Sequence, residues 1–164
     1  MTLVLLLGGA RSGKSRLALE RALQSGRPVT FIATGEAGDK EMGARIERHK
    51  RERPQGWRTV EEPLELAHSL ASVPDEETAI VDCLSLWVAN GIAAQRELDD
   101  GALGLAVGRS GLTIAVTNEV GMGIVPDNAL ARAYRDELGR VNAAWVAAAD
   151  EAYLVVAGRT VTLA

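Results

Sequence analysis

Gly8-Gly-Ala-Arg-Ser-Gly-Lys-Ser15, directly after the apolar run Leu3–Leu7, satisfies every fixed position of the phosphate-loop pattern G-x-x-x-x-G-K-[ST]. An unbroken apolar run reads as a buried parallel strand, and Leu17, Leu19 and Leu23 mark a helix that begins near Ser15. Strand, glycine-rich turn and helix thus follow in the order that a nucleoside triphosphate site requires. Gly8, Gly9 and Gly13 let the backbone curl through Ala10, Arg11 and Ser12, so that successive N–H groups converge on phosphate oxygens. The helix adds the positive end of its dipole at the same spot. Lys14 supplies a mobile cation for the β- and γ-phosphates, and the Ser15 hydroxyl is placed to ligate Mg²⁺. A purely structural turn has no need of Lys followed by Ser.

The rest of the chain fits one domain around that loop. Its 164 residues, 47% of them hydrophobic, build a single core over residues 1–164. A net charge of −4 argues against general nucleic-acid binding. Leu3–Leu7 is too short for a signal peptide or a membrane span, and Cys83, the single cysteine, cannot form an internal disulfide. These features predict a cytoplasmic protein without stable membrane insertion.

Short β-rich segments recur at Pro28–Thr34, Ala79–Asp82, Leu112–Val116 and Ala152–Val156, and a hairpin at Gly158 and Arg159 adds an edge strand at Val161–Leu163. Helical stretches are expected at about 39–53, 63–72, 84–107 with breaks, and 126–149. The alternation predicts an α/β P-loop NTPase-type three-layer fold with a mostly parallel central sheet. The weakest segment is Asp99–Gly111, which holds four of the 17 glycines.

Ligands of such sheets gather beyond the carboxyl ends of the strands. Asp82 closes an apolar strand there and reads as a second Mg²⁺-holding carboxylate, against the alternative of a helix N-cap. Thr34 with Gly35, and Asn118 with Glu119, also follow strands; the second pair could equally cap a turn. Cys83 reads as a small buried residue. The segment Ala44–Pro54 places Arg45, Arg48 or His49, and Arg53 on one helix face. Composition leaves two readings open: a solvated helix laced by Glu47 and Glu52, or a phosphate-facing histidine able to attack phosphorus. His68 reads as a helix-surface residue, and Trp57, Trp87 and Trp145 as core or subunit contacts.

Taken together, Gly8–Ser15, Ile32–Thr34, Arg45–Pro54 with Trp57 and Glu61–Pro63, Val81–Asn90, Thr117–Pro126 and Arg132–Asn142 resemble the successive motifs of one family. It is the bifunctional adenosylcobinamide kinase and adenosylcobinamide-phosphate guanylyltransferase of cobalamin biosynthesis. The resemblance runs from residue 3 to the end, and its histidine block and Asn-Glu-Val-Gly block are far more specific than the phosphate loop. It implies phosphorylation of the corrinoid hydroxyl by a nucleoside triphosphate, ATP or GTP, followed by transfer of GMP from GTP through a covalent adduct on His49. It also implies that Ala33, Thr34, Gly35, Lys50, Arg51, Glu52, Arg53, Glu61 and Asp82 help to hold the guanine nucleotide. The connection between Asn90 and Leu112 departs from the family, being short and glycine-rich. A corrinoid is large for so small a chain, which predicts a site built between subunits of a homo-oligomer. The residues alone also admit a P-loop kinase of another small molecule, or a non-enzymatic nucleotide-dependent switch.

Overall fold

The computed structural model describes residues 2–38, 40–98 and 101–163. Thirteen elements follow one another: β1 (Thr2–Gly8), α1 (Lys14–Gln24), β2 (Val29–Ala33), α2 (Lys40–Glu52), β3 (Arg58–Glu61), α3 (Leu66–Ala71), β4 (Thr78–Asp82), α4 (Leu84–Ala93), α5 (Gly101–Gly108), β5 (Leu112–Asn118), α6 (Ala129–Ala148), β6 (Glu151–Val156) and β7 (Arg159–Thr162). The strands form one sheet in the order β3-β2-β4-β5-β1-β6-β7, parallel throughout except for the β6–β7 hairpin.

Both sides of this sheet are apolar, which explains the continuous hydrophobic runs. Leu3, Leu5 and Leu7 of β1 enter a core with Leu66, Leu70, Leu84, Trp87, Leu138 and Trp145 from α3, α4 and α6. Val4 and Leu6 point the other way, toward Ala18 and Ala22 of α1 and Phe31 of β2. The layers expected from the sequence are therefore present, and Trp87 and Trp145 are core residues, each 2% exposed. Trp57 packs against the second core from a partly buried position.

Strand β3 has no counterpart among the expected elements. Only Val60 of its four residues is partly buried, so the segment lacks the apolar run that marks an inner strand. Its pairing with β2 at the sheet edge makes it a strand. The expected helical stretch at about 84–107 is present as α4 and α5 with a break between them, and the glycine-rich Gly101–Gly108 is helical and buries Ala102 and Ala106. The break before it occurs where Leu98 crosses Gly91, whose missing Cβ would stand 2.5 Å from the Leu98 Cδ2. Asp99 and Asp100 lie outside the described residues. The closing hairpin turns at Ala157 and Gly158, both at positive φ (50° and 75°), the primed geometry that matches strand twist.

Candidate active site

Five strand ends fall close together, with the β1–β5 pair two residues beyond the row that joins β5, β4, β2 and β3. Gly8 pairs with Asn118, Val116 with Asp82, Asp82 with Ala33, and Ala33 with Glu61. Beyond this row opens a crevice of about 1270 Å³ between the phosphate loop, the segment after β2, the last turns of α2 and Asp82.

The phosphate-loop side is braced from several directions. A Cβ on Gly8 would stand 2.3 Å from the Val155 carbonyl oxygen and 2.8 Å from the Ser12 Oγ, so only glycine fits between β6 and the loop. Gly13, at φ 104°, is the left-handed residue that leads into α1. From the closing hairpin, the Gly158 N–H donates to the Ser12 carbonyl at 2.8 Å, and from the end of β5 the Glu119 N–H donates to the Gly8 carbonyl at 3.2 Å. Lys14 is buried and folds its ammonium back over the loop, donating to the Gly9 carbonyl at 2.6 Å and to the Ser12 Oγ at 3.4 Å. Ser15 lines the crevice beside it, and the Asp82 side chain, 15% exposed, closes its floor. A hydroxyl and a carboxylate are hard oxygen donors suited to Mg²⁺, with phosphate oxygens and water left to complete its shell.

The opposite wall is α2. His49 Nδ1 lies 3.9 Å from Asp82 Oδ2, too long for a hydrogen bond. Lys50 Nζ contacts Glu61 at 2.6 Å and Glu47 at 3.4 Å. The hydrogen bond to Glu61 raises the Lys50 pKa above its ordinary value. The Arg53 guanidinium lies over the Phe31 ring, 3.9 Å from its centroid, and Nη1 donates to the Thr59 Oγ1 at 3.3 Å. Burial lowers the Arg53 pKa, while the charges of Asp82 and Glu61 push it back up. Its Nε is buried without a protein acceptor, an uncommon condition that a bound ligand can relieve.

Of the residues named from the sequence, Ala10, Arg11, Ser12, Gly13, Lys14, Ser15, Ala33, Gly35, His49, Lys50, Glu52, Arg53, Glu61 and Asp82 all line the crevice. Gly8, Gly9, Thr34 and Arg51 do not. Thr34 is fully buried, its hydroxyl donating to the Cys83 carbonyl at 2.7 Å and accepting from the Cys83 N–H at 2.9 Å. It ties the end of β2 to the turn after β4, a structural task that leaves its hydroxyl no room for nucleotide. Arg51 faces outward, its Nε 3.4 Å from the Glu47 carbonyl. The Arg45 side chain lies outside the described part. Cys83 is buried, and desolvation, with the Asp82 charge second, pushes its thiol up to about 11, which disqualifies it as a nucleophile at neutral pH.

Sequence reasoning missed Ile46 and Leu86. They flank Gly35, where an added Cβ would come within 3.2 Å of the Leu86 Cδ1 and 3.7 Å of the Ile46 Cδ1. Their apolar character was visible, but nothing local separates a crevice-facing leucine from a core one. The wall residue Pro63 and the Leu64 behind it are held by Trp87 Nε1, which donates to the Leu64 carbonyl at 2.9 Å, and by Asn90 Nδ2, which donates to the carbonyls of Thr34 (2.7 Å) and Pro63 (3.1 Å).

Residues 4–163 match the family described as cobinamide kinase / cobinamide phosphate guanyltransferase. The chain belongs to this family. Among its relatives, the bifunctional adenosylcobalamin biosynthesis protein CobP of Pseudomonas aeruginosa is 45% identical, covering 94% of this chain and 92% of the relative. The proteins named CobU in Escherichia coli and Salmonella typhimurium are each 40% identical, covering 95% of this chain and 96% of theirs. In fold, the chain is similar to the flagellar accessory protein FlaH of Methanocaldococcus jannaschii, with a TM-score of 0.57 at 13% identity over 99% of this chain and 77% of that one. The phosphate loop and the histidine helix of this kinase/guanyltransferase chain thus face one shared crevice. Among the described residues, no helix is long and apolar enough to cross a membrane.

Proposed function

We propose that this single crevice carries both family activities, with His49 as the nucleophile of guanylyl transfer. In the kinase step, the corrinoid hydroxyl oxygen attacks the γ-phosphorus of a nucleoside triphosphate, the bond to the nucleoside diphosphate breaks, and the hydroxyl proton is released to solvent. Lys14 and the loop N–H groups hold the charge that develops on the phosphate oxygens. In the transferase step, a neutral His49 nitrogen attacks the α-phosphorus of GTP; a P–N bond forms and pyrophosphate leaves. An oxygen of the corrinoid phosphate then attacks the same phosphorus, breaks the P–N bond and returns the imidazole. Ser15 and Asp82 would hold Mg²⁺, which supplies charge neutralisation for the phosphates when bound. Arg53 and Lys50 on the His49 wall are placed to bind the rest of the nucleotide.

The observation that carries this reading is the position of His49, 3.9 Å from Asp82 at the edge of the crevice floored by the phosphate loop. The test is intact-protein mass after incubation with GTP and Mg²⁺. An acid-labile gain of one GMP, absent from His49→Ala, is expected; no adduct on the native chain would reduce His49 to a surface residue and leave a kinase. We also propose a cytoplasmic homo-oligomer, since the crevice is open and a corrinoid exceeds what one small subunit can enclose. A monomer by light scattering at micromolar concentration would sink that part.

A further inference from the structure

The segment between β5 and α6 turns its apolar side chains outward. Val120, Met122, Ile124 and Val125 are 39%, 77%, 98% and 60% exposed, and Leu130 on the first turn of α6 is 66% exposed. This is no frayed loop. It is fixed at its start by the Glu119 N–H on the Gly8 carbonyl (3.2 Å) and by the Glu119 carboxylate, which accepts from the Gly121 N–H. Its far end is fixed by Arg132 Nη1, which donates to the carbonyls of Pro126 (3.0 Å) and Asp127 (2.8 Å), and by Asn128, whose Oδ1 accepts from the Ala131 N–H at 2.8 Å. Chain held at both ends with its hydrophobic groups in water marks a surface built to be covered.

Two further facts say what covers it. The segment is continuous with the crevice: Asn118, two residues before Val120, lines the crevice and pairs with Gly8 at the root of the phosphate loop. The acceptor must present its hydroxyl, and later its phosphate, at that loop, and this apolar segment adjoins the loop's end of the crevice, where the bulk of the acceptor has a surface to rest on. A corrinoid ring rimmed with methyl groups and amide arms is broad, flat and partly apolar, the shape and polarity for which exposed Met and Ile side chains are adaptable partners. We infer that Val120, Met122, Ile124 and Val125 form the platform on which the corrinoid macrocycle rests while its side-arm oxygen reaches the phosphate loop. The inference rests on the kinase/guanyltransferase reading and assigns the macrocycle's position within it.

The test titrates cobinamide into the native chain, Ile124→Ser, and Met122→Ser/Ile124→Ser, with GTP affinity, GMP-adduct formation and light-scattering mass measured alongside. Ile124 is almost fully exposed, so its loss leaves the core intact. Cobinamide affinity is expected to fall roughly tenfold for each lost apolar contact, with GTP affinity, adduct yield and mass unchanged. Native-level cobinamide binding in the double variant overturns the platform, as does a loss of binding that only follows subunit dissociation. If the native chain itself binds no cobinamide, it is the functional reading that fails.

Discussion

Two arginines at opposite ends of the sheet each have a buried Nε without a protein partner, yet they are held very differently. At the amino-terminal end Arg109, 6% exposed, donates to the carbonyls of Val73, Pro74 (3.0 Å) and Glu77 (2.9 Å), locking the turns that precede β4 and β5. Gly111 completes that lock, since a Cβ there would stand 2.5 Å from the Asp75 carbonyl. At the carboxyl-terminal end Arg53 has a ring beneath it and one hydroxyl at 3.3 Å, with Asp82 and Glu61 near enough to favour its charge. Both terminal nitrogens of the first guanidinium are taken up by main-chain oxygen, and it serves the fold. The second retains donors facing a polar crevice, as a group reserved for ligand does.

The largest expected effect lies wholly at the carboxyl end. Lys14→Ala should lower kcat of the kinase step by roughly a hundred- to a thousandfold with the thermal midpoint little changed; a stability loss that accounts for the activity loss would give Lys14 a folding role instead. The arginine contrast is tested next by a pair of variants. Arg109→Ala should destabilise the chain by about 3 kcal/mol in urea unfolding, because three carbonyls, that of Val73 buried and the other two partly so, lose a charged donor, while activity per folded molecule is retained. Arg53→Met, which keeps a stem over Phe31, should raise the KM for GTP roughly tenfold or more and shift the midpoint by no more than about 2 °C. Interchanged results would dissolve the distinction.

A smaller effect is expected at the brace between the closing hairpin and the loop. Gly158→Ala strains a residue at φ 75° and should cost about 1 kcal/mol, with a few-fold weaker GTP binding. Unchanged nucleotide affinity would mean that the Gly158–Ser12 bond does not set the loop's shape. The smallest effect concerns Cys83. Its folded pKa, raised by burial to about 11, exceeds the unfolded value of about 8.5, so the stability it contributes is complete below the unfolded value and is lost as pH rises through the folded one. The thiol should resist iodoacetamide at pH 8 in the native chain, and Cys83→Ala should flatten the decline in urea midpoint between pH 8 and 10.5. Rapid native alkylation would contradict the burial.

Much of the catalytic half was legible because its signals are local. Gly8–Ser15 carries strand end, curl, cation and hydroxyl in consecutive residues, and Asp82 declares itself by ending an apolar strand. The histidine block was harder. Its charge pattern suits a solvated helix equally well, and only the family resemblance singled out His49. The direction of the Thr34 hydroxyl was not legible, because a strand end does not reveal whether a hydroxyl faces a crevice or a neighbouring turn; the bonds to Cys83, 49 residues away, fix it. Strand β3 was invisible because an edge strand that buries one side chain leaves no run to read.

By itself, then, the sequence determined the phosphate loop, the alternation of strand and helix, and the residue types of the chemistry, since each is written in neighbouring positions. Only the tertiary structure decided which of those residues meet. Strand register put Val116, Asp82, Ala33 and Glu61 on one row with Gly8 and Asn118 paired two residues beyond it, and the fold brought Gly158 against Ser12 and His49 beside Asp82. Contacts of that kind depend on how whole faces of helices and sheet pack together, and no window of sequence contains both partners.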